Sequence, residues 1–339
     1  MSGGSPTEFE SDDADAPQLP PVEADASLTI VGDVNIQNRR EPADALRHVE
    51  ETLAAADVLY GNLEGCLFRP GDDDLPNKAG WSHSDERMVE GLTSAGFDVV
   101  GCANNVTYGD DAIENTMRVL EREGIRYCGV GEDLAAARGP AVVTKNGVTV
   151  GFLQRTARTH EPDQAATPNS SGVAAFDPDD EADLDAIQSA VEELHSAVDV
   201  VVFSHHVRQT TTTEAEPYQR ELAERVIDAG ADLVFGHGAH VNQGIERYEG
   251  RPIFHCIGQL AFDWPRAEPY RNGLLLRAHV TDGSLGRVSF TPLRRDEHND
   301  VRLAPPASPA GREQIDELLE LSSPDVFEVD DAEATIRTA

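Results

Sequence analysis

Six short apolar runs in this chain end in residues that can hold a metal ion or handle a proton. Asp33 and Asn35 follow LTIVG, Asn62 and Glu64 follow DVLYG, and Asn104 and Asn105 follow VVGCA. His205 and His206 follow VVVFS, His237 and His240 follow DLVFG, and Gln259 comes after IFHCIG. Mixed carboxylate, amide and imidazole donors suit ions such as Mn, Fe or Zn. Two such ions about 3.5–4 Å apart can clamp a phosphoryl oxygen and lower the pKa of a bridging water. The pattern reads as a hydrolase site for one or two divalent ions.

Taken singly, each residue has a plainer account. Asp33 and Asn35 can turn the chain or cap a helix, and Asn104 and Asn105 can serve as turn residues. Glu64 can be a solvated strand end. His205 and His206 can be one core histidine and one solvated neighbour. The joint order favours a site, because turn chemistry does not require histidines at two later strand ends after carboxylates at two earlier ones.

The elements that must position these residues alternate. Leu28–Asp33, Asp57–Asn62 and Phe97–Ala103 read as strands, with helices at Ala43–Ala56, Ser84–Ala95 (capped by Ser82 or Ser84) and Asp110–Glu123, the last stopped by Gly124. A strand is expected at IRYCGVG and a hairpin at Asn146-Gly147. Helices at Ala182–Ala197 and Tyr218–Ala229 flank VDVVVFS, and Ala231–Gly236 closes the second alternation. GIERYEG, RPIFHCIG, NGLLLRAHV and GRVSFTPL read as antiparallel strands. This order implies an α/β fold, a layered sandwich with central mixed β-sheets flanked by helices. In open α/β sheets ligands bind at the carboxyl ends of strands, where these residues lie.

Domain expectations follow from composition. Residues 1–26 are acidic and Pro-rich and read as a disordered tail, 27–295 as the folded domain, and 296–339 as an extension with a short helix and an acidic tail. Neither a signal peptide nor a spanning segment is recognisable, which implies a cytoplasmic protein with no membrane insertion. Cys66, Cys102, Cys128 and Cys256 form no CxxC pair and read as buried free thiols.

The 339 residues carry 62 Asp and Glu against 27 Lys and Arg, a net charge of −35. Such a surface repels phosphate backbones and excludes nucleic acid as a partner. Lys78 and Lys145 are the two lysines, so the other 25 basic residues are arginine. An acidic, lysine-poor surface reads as adaptation to a salt-rich cytoplasm, where screening acts over about 3 Å near 1 M salt.

GDVN, YGNLEG, CANNVTYGDD, FSHHVRQ and AGADLVFGHGAHVNQGIERYEGRPIFHCIGQLAFD together resemble the CapA family, named for poly-γ-glutamate capsule synthesis. The resemblance runs from about Leu28 to Asp263 and marks a divergent, halophile-type member. It implies a calcineurin-like metallophosphatase fold. It also implies metal-site positions at Asp33, Glu64, Asn105, His205 and His240, with Asn62 sharing a bridging role and Asn104 supporting. Three positions depart from the family pattern. Val106 stands where the family has its general-acid histidine, Gly238 where it has a ligand histidine, and Gln259 where it has asparagine. Valine cannot transfer a proton; Asn104 and His206 are the candidate catalytic residues, and either His237 or His206 is a candidate substitute for the lost ligand.

The resemblance implies a role in poly-γ-glutamate or capsule-polymer metabolism, with a phosphoester, an acyl phosphate or a related polymer as substrate. The alternative is a non-catalytic member that binds a polymer or partner in the inherited cleft. The charge generates its own prediction: adding salt should raise the midpoint of thermal unfolding, because self-repulsion is screened. A melting temperature that falls with salt would overturn the halophile reading.

Overall fold

In strand Ala26–Asn35, Leu28 and Ile30 face one core while Val31 and Val34 face another. That period-two split recurs in Val200–His206, where Val200 and Val202 part from Val201 and Phe203. Strands with two apolar faces must be covered on both sides, and here they are. The computed structural model describes residues 19–37, 39–68, 83–159, 164–263, 271–296 and 298–337. Residues 1–18 of the expected acidic tail, and Ser82, lie outside these.

Two mixed sheets stack face to face. The larger runs from Phe327–Val329 and Ala334–Ile336 through the hairpin Ser284–Arg295 and Asn272–Thr281 to Ala26–Asn35. It continues in parallel through Val58–Leu63, Val99–Gly101 and Arg126–Cys128. The smaller runs Ile245–Tyr248, Arg251–Phe254, Leu233–His237, Val200–His206, Val148–Thr156 and Ala141–Lys145. Between the sheets lie Ile30, Tyr60, Phe152, Val202, Phe235 and Phe290. Tyr60 stacks on Phe152 at 5.1 Å, and its hydroxyl meets Ser204 Oγ at 3.0 Å.

Helices cover the outer faces. Asp110–Glu123 packs with Glu90–Ala95 against the larger sheet, and Glu181–His195 with Pro217–Asp228 against the smaller. This is the layered α/β architecture with mixed sheets that the alternation implies. Gly124 ends its helix at φ 76°, and Asn146 and Gly147 turn the hairpin at φ 53° and 85°, as an Asn-Gly turn requires. All four cysteines are buried and unpaired.

Several elements differ locally from the expected ones. The helix expected over Ala43–Ala56 is a 3-10 turn, Pro42–Leu46, followed by Glu50–Ala54. The one expected over Ser84–Ala95 begins as a 3-10 turn at Glu86, capped by Asp85 rather than Ser84, whose hydroxyl instead donates to Ile36 O at 2.7 Å. IRYCGVG splits at Gly129, where φ is 82°. Arg251–Phe254 is antiparallel to Ile245–Tyr248 but parallel to Leu233–His237. Beyond residue 296 the acidic end is not a bare tail, because Phe327–Val329 pairs with Ala334–Ile336, which extends the larger sheet.

Gly32 marks where the strands crowd. A Cβ there would sit 2.0 Å from the backbone oxygen of Gly258, a contact that no side-chain rotation relieves. Gly32→Ala should therefore lower unfolding free energy by about 3 kcal/mol, read by chemical denaturation. A neutral effect would contradict this close approach.

Candidate metal centre

Asp33 sits where its strand loses register with both parallel neighbours, Val58–Leu63 and Gln259–Phe262. An irregularity of this kind re-aims a side chain at the end of a ladder. The Asp33 carboxylate is fully buried, with Oδ1 accepting from Asn62 Nδ2 at 2.8 Å and Oδ2 lying 3.2 Å from His240 Nδ1. His240 Nε2 is 3.8 Å from Glu64 Oε1. One ligand atom each from Asp33, Glu64 and His240 falls within a 4.8 Å cluster.

Glu64 is the conspicuous member. Both carboxylate oxygens are buried and, among the described residues, neither has a hydrogen-bond partner. Burial, and then the neighbouring charge of Asp33, push its pKa well above the usual carboxylate value. Burial also works to raise Asp33, but the nearby His240 and His237 and the hydrogen bond from Asn62 outweigh it and hold that carboxyl below its usual value. An unpartnered buried carboxylate is costly, and a divalent cation between these donors would offset the cost. The donor set therefore fits a metal ion.

Amides hold the centre in place. Asn35 Nδ2 donates to Glu64 O at 2.6 Å. Asn62 Oδ1 accepts from Gln154 Nε2 at 3.0 Å, so the Asn62 amide is occupied at both ends. Asn104 donates to Leu63 O at 2.8 Å, while its Oδ1 accepts from the Val106 N–H at 3.2 Å and the Thr107 hydroxyl at 3.0 Å. It ties the loop that follows Val99–Gly101, and Asn105 is buried on that same loop. Val106 is buried there too.

The two adjacent histidines part company. His205 packs edge-on to Tyr218, with ring centroids 6.3 Å apart, and both ring nitrogens are buried with no hydrogen bond among the described residues. Burial drops its pKa to about 3. His206 shares the intersheet face of Val202 and Ser204 instead, as strand alternation requires. Its Nδ1 meets His237 Nδ1 at 3.0 Å, and that atom is 3.9 Å from Asp33 Oδ1. Burial lowers His206 well below its usual value and His237 to about 4, so both rings are neutral at pH 7. A Cβ at Gly238, where φ is 88°, would lie 2.3–2.6 Å from the His206 ring. The His206 ring thus fills the space beside Gly238.

Three contributors gave no signal in the sequence. Gln154 lies mid-strand, with its Nε2 2.7 Å from His237 Nε2. Arg295, fully buried, donates to Gln259 Oε1 at 2.6 Å and so turns Gln259 Nε2 toward His240 Nδ1 at 2.9 Å. Arg158 follows strand Val148–Thr156 and has Glu64 as an attractive charge, although burial lowers its pKa. Packing of the sheets creates the contacts of Gln154 and Arg295.

The family model described as bacterial capsule synthesis protein PGA_cap matches residues 27–264. The PGA biosynthesis protein CapA of Bacillus subtilis is 28% identical over 293 residues, covering 83% of this chain and 73% of that protein. A probable polyglutamine synthesis accessory protein of Mycobacterium tuberculosis is 31% identical over 265 residues, covering 74% of this chain and 69% of that protein. A hypothetical protein from Thermus thermophilus shares the fold, with TM-score 0.53 at 16% identity, covering 80% of this chain and all of the other.

The raised Glu64 pKa sets a pH dependence with a definite sign. A metal ion must displace the proton that Glu64 retains above the usual carboxylate range, so affinity should fall as pH drops through that group's titration and binding should release a proton. Calorimetry in buffers of different ionisation enthalpy measures the release. Glu64→Gln should abolish it, and a pH-independent affinity would contradict the assignment.

Proposed function

Because the chain belongs to the PGA_cap family of capsule synthesis proteins, we propose that it serves poly-γ-glutamate or capsule-polymer synthesis as a metal-dependent phosphoesterase-type hydrolase. The observation that carries this reading is Glu64, a buried carboxylate without a hydrogen-bond partner, clustered with Asp33 and His240. Asp33, Glu64 and His240 would hold the ion, with Asn35 Oδ1, also buried and unpartnered, as a further oxygen donor. Mn, Fe or Zn bound there would polarise a phosphoryl oxygen and supply hydroxide near neutral pH.

The remaining groups orient and donate. Asn62 fixes the Asp33 carboxylate by donating to its Oδ1, and Gln154 fixes Asn62. Asn104 shapes the loop that carries Asn105. Val106 has no proton to give, so the leaving oxygen must be stabilised otherwise. We assign that task to His206, acting as a neutral hydrogen-bond donor. A fixed donor at developing negative charge lowers a barrier without transferring its proton. The substrate would be a small or polymeric phosphoester or acyl phosphate in a salt-rich cell. No helix among the described residues is long and apolar enough to cross a membrane.

Metal analysis of protein purified in high salt tests the proposal, together with hydrolysis of p-nitrophenyl phosphate and acetyl phosphate. Wild-type protein should retain about one or two ions per chain. Asp33→Ala and His240→Ala should each lose metal and reduce metal-stimulated turnover by about 100-fold or more. Full activity in either variant, or no metal in the wild type, would overturn the reading.

A further inference from the structure

His240 holds a left-handed backbone, φ 62°, in the loop between Leu233–His237 and Ile245–Tyr248. A residue with a Cβ keeps that conformation only where its surroundings impose it. Just beyond it, Asn242 and Gln243 give their amides to different helices. Gln243 Oε1 accepts from Gln219 Nε2 of Pro217–Asp228 at 3.0 Å, and Gln243 Nε2 donates to Thr212 O at 2.9 Å. Asn242 Nδ2 donates to Gln314 Oε1 of helix Pro309–Leu321 at 3.1 Å. Asn242, Gln243, Gln219 and Gln314 are all buried.

A backbone carbonyl fixes the polarity of the second bridge. Gln314 Nε2 donates to Leu293 O at 3.0 Å, and a carbonyl can only accept, so Gln314 Oε1 must face Asn242. Asn242 thus gives Nδ2 to Gln314 and turns Oδ1 toward Gly258, where an added Cβ would come within 2.7 Å of that oxygen. Gly258 O in turn accepts from the Asp33 N–H at 3.1 Å. The Asn242 amide therefore lies between the loop of His240 and the turn that holds the Asp33 backbone. The end of the same helix closes the loop, because the Ile245 N–H donates to Ser322 Oγ at 2.9 Å and the Ser323 N–H donates to Ile245 O at 3.0 Å. The family model matches residues up to 264, so this brace comes from outside the match.

We propose that Gln314 is a positioning residue for the metal centre, fixing Asn242 and through it the loop that presents His240 to Asp33 and Glu64. The ion itself is taken from the metal-dependent reading above, on which this rests. The hydrogen bonds of Gln314 go to Asn242 and Leu293, so it acts on the ion only through the loop. With the bridge intact, His240 Nδ1 is held 3.2 Å from Asp33 Oδ2. Without it, the loop can relax from its left-handed turn and draw the imidazole away from the carboxylates. Groups that orient a ligand from behind govern affinity in this way.

Calorimetric titration of the full chain with Mn(II) reads the effect. Gln314→Met, which keeps the volume and loses both hydrogen bonds, should weaken Mn(II) binding by about tenfold. Gln314→Glu, which keeps an oxygen for Asn242, should restore part of the loss. Leu318→Ala empties core space one turn along the same helix, and should lower the unfolding midpoint while leaving Mn(II) affinity within about twofold. Asn242→Ala should match Gln314→Met, and the double variant should bind no more weakly than either alone, because both remove one bridge. Unchanged Mn(II) affinity in Gln314→Met, or an equal loss in Leu318→Ala, would overturn the proposal. NMR of the His240 ring in the metal-free chain gives a second readout. Its signals should shift in Gln314→Met and hold in Leu318→Ala; signals that hold in both would also defeat the proposal. Wild-type protein that binds no Mn(II) removes the metal-dependent reading alone, and the ring signals then decide whether Gln314 sets the loop.

Discussion

Two carboxylates, Asp33 and Glu64, are buried at the ends of neighbouring parallel strands, and much of the surrounding polar structure answers to them. Like charges held together without water repel, and each is penalised by burial. The fold resolves the conflict unequally. Asp33 receives Asn62 and the histidines and keeps its charge, whereas Glu64 receives no hydrogen bond at its oxygens and retains its proton to higher pH. A cation between them would relieve both, and its uptake would then be coupled to release of the Glu64 proton.

Around that pair the strand ends act through amides more than through charges. Asn62, Gln154, Asn104 and Gln259 each spend both ends of the side chain on a neighbour, so every orientation is determined by another. Interior networks of this kind keep their stability only when every member is satisfied. Here the chain of donors starts at the Ala103 backbone and ends at the His206 ring. Arg295 plays a parallel role on the other side by fixing Gln259. Neither arginine nor glutamine touches the carboxylates, yet both decide which ring atoms the histidines offer.

The acidity of the chain is largely separate from this chemistry. Arginines collect acidic partners at the surface, as Arg225 does with Glu181 and Asp185, and inside the rim, as Arg39 does with Asp263 and Asp300. Exposed pairs of this type contribute little individually. We read them as the lattice of a surface suited to salt, with the site carboxylates set apart by burial.

The sequence by itself determined the alternation of apolar runs and helices, the Asn146-Gly147 hairpin, the stop at Gly124 and the polar strand ends. These are local properties: side-chain period, turn conformation, and the absence of a Cβ where φ is positive. It also marked Val106 and Gly238 as positions unable to donate or ligate. Tertiary structure decided what each strand end does. Whether His205 or His206 faces the carboxylates depends on which side of Val200–His206 meets the other sheet, and one residue's difference reverses the face. Gln154 and Arg158 lie far along the chain from Asp33 and Glu64, and Arg295 farther still, so no spacing rule could connect them. Only the stacking of the two sheets, and the register break at Asp33, brings them to one place.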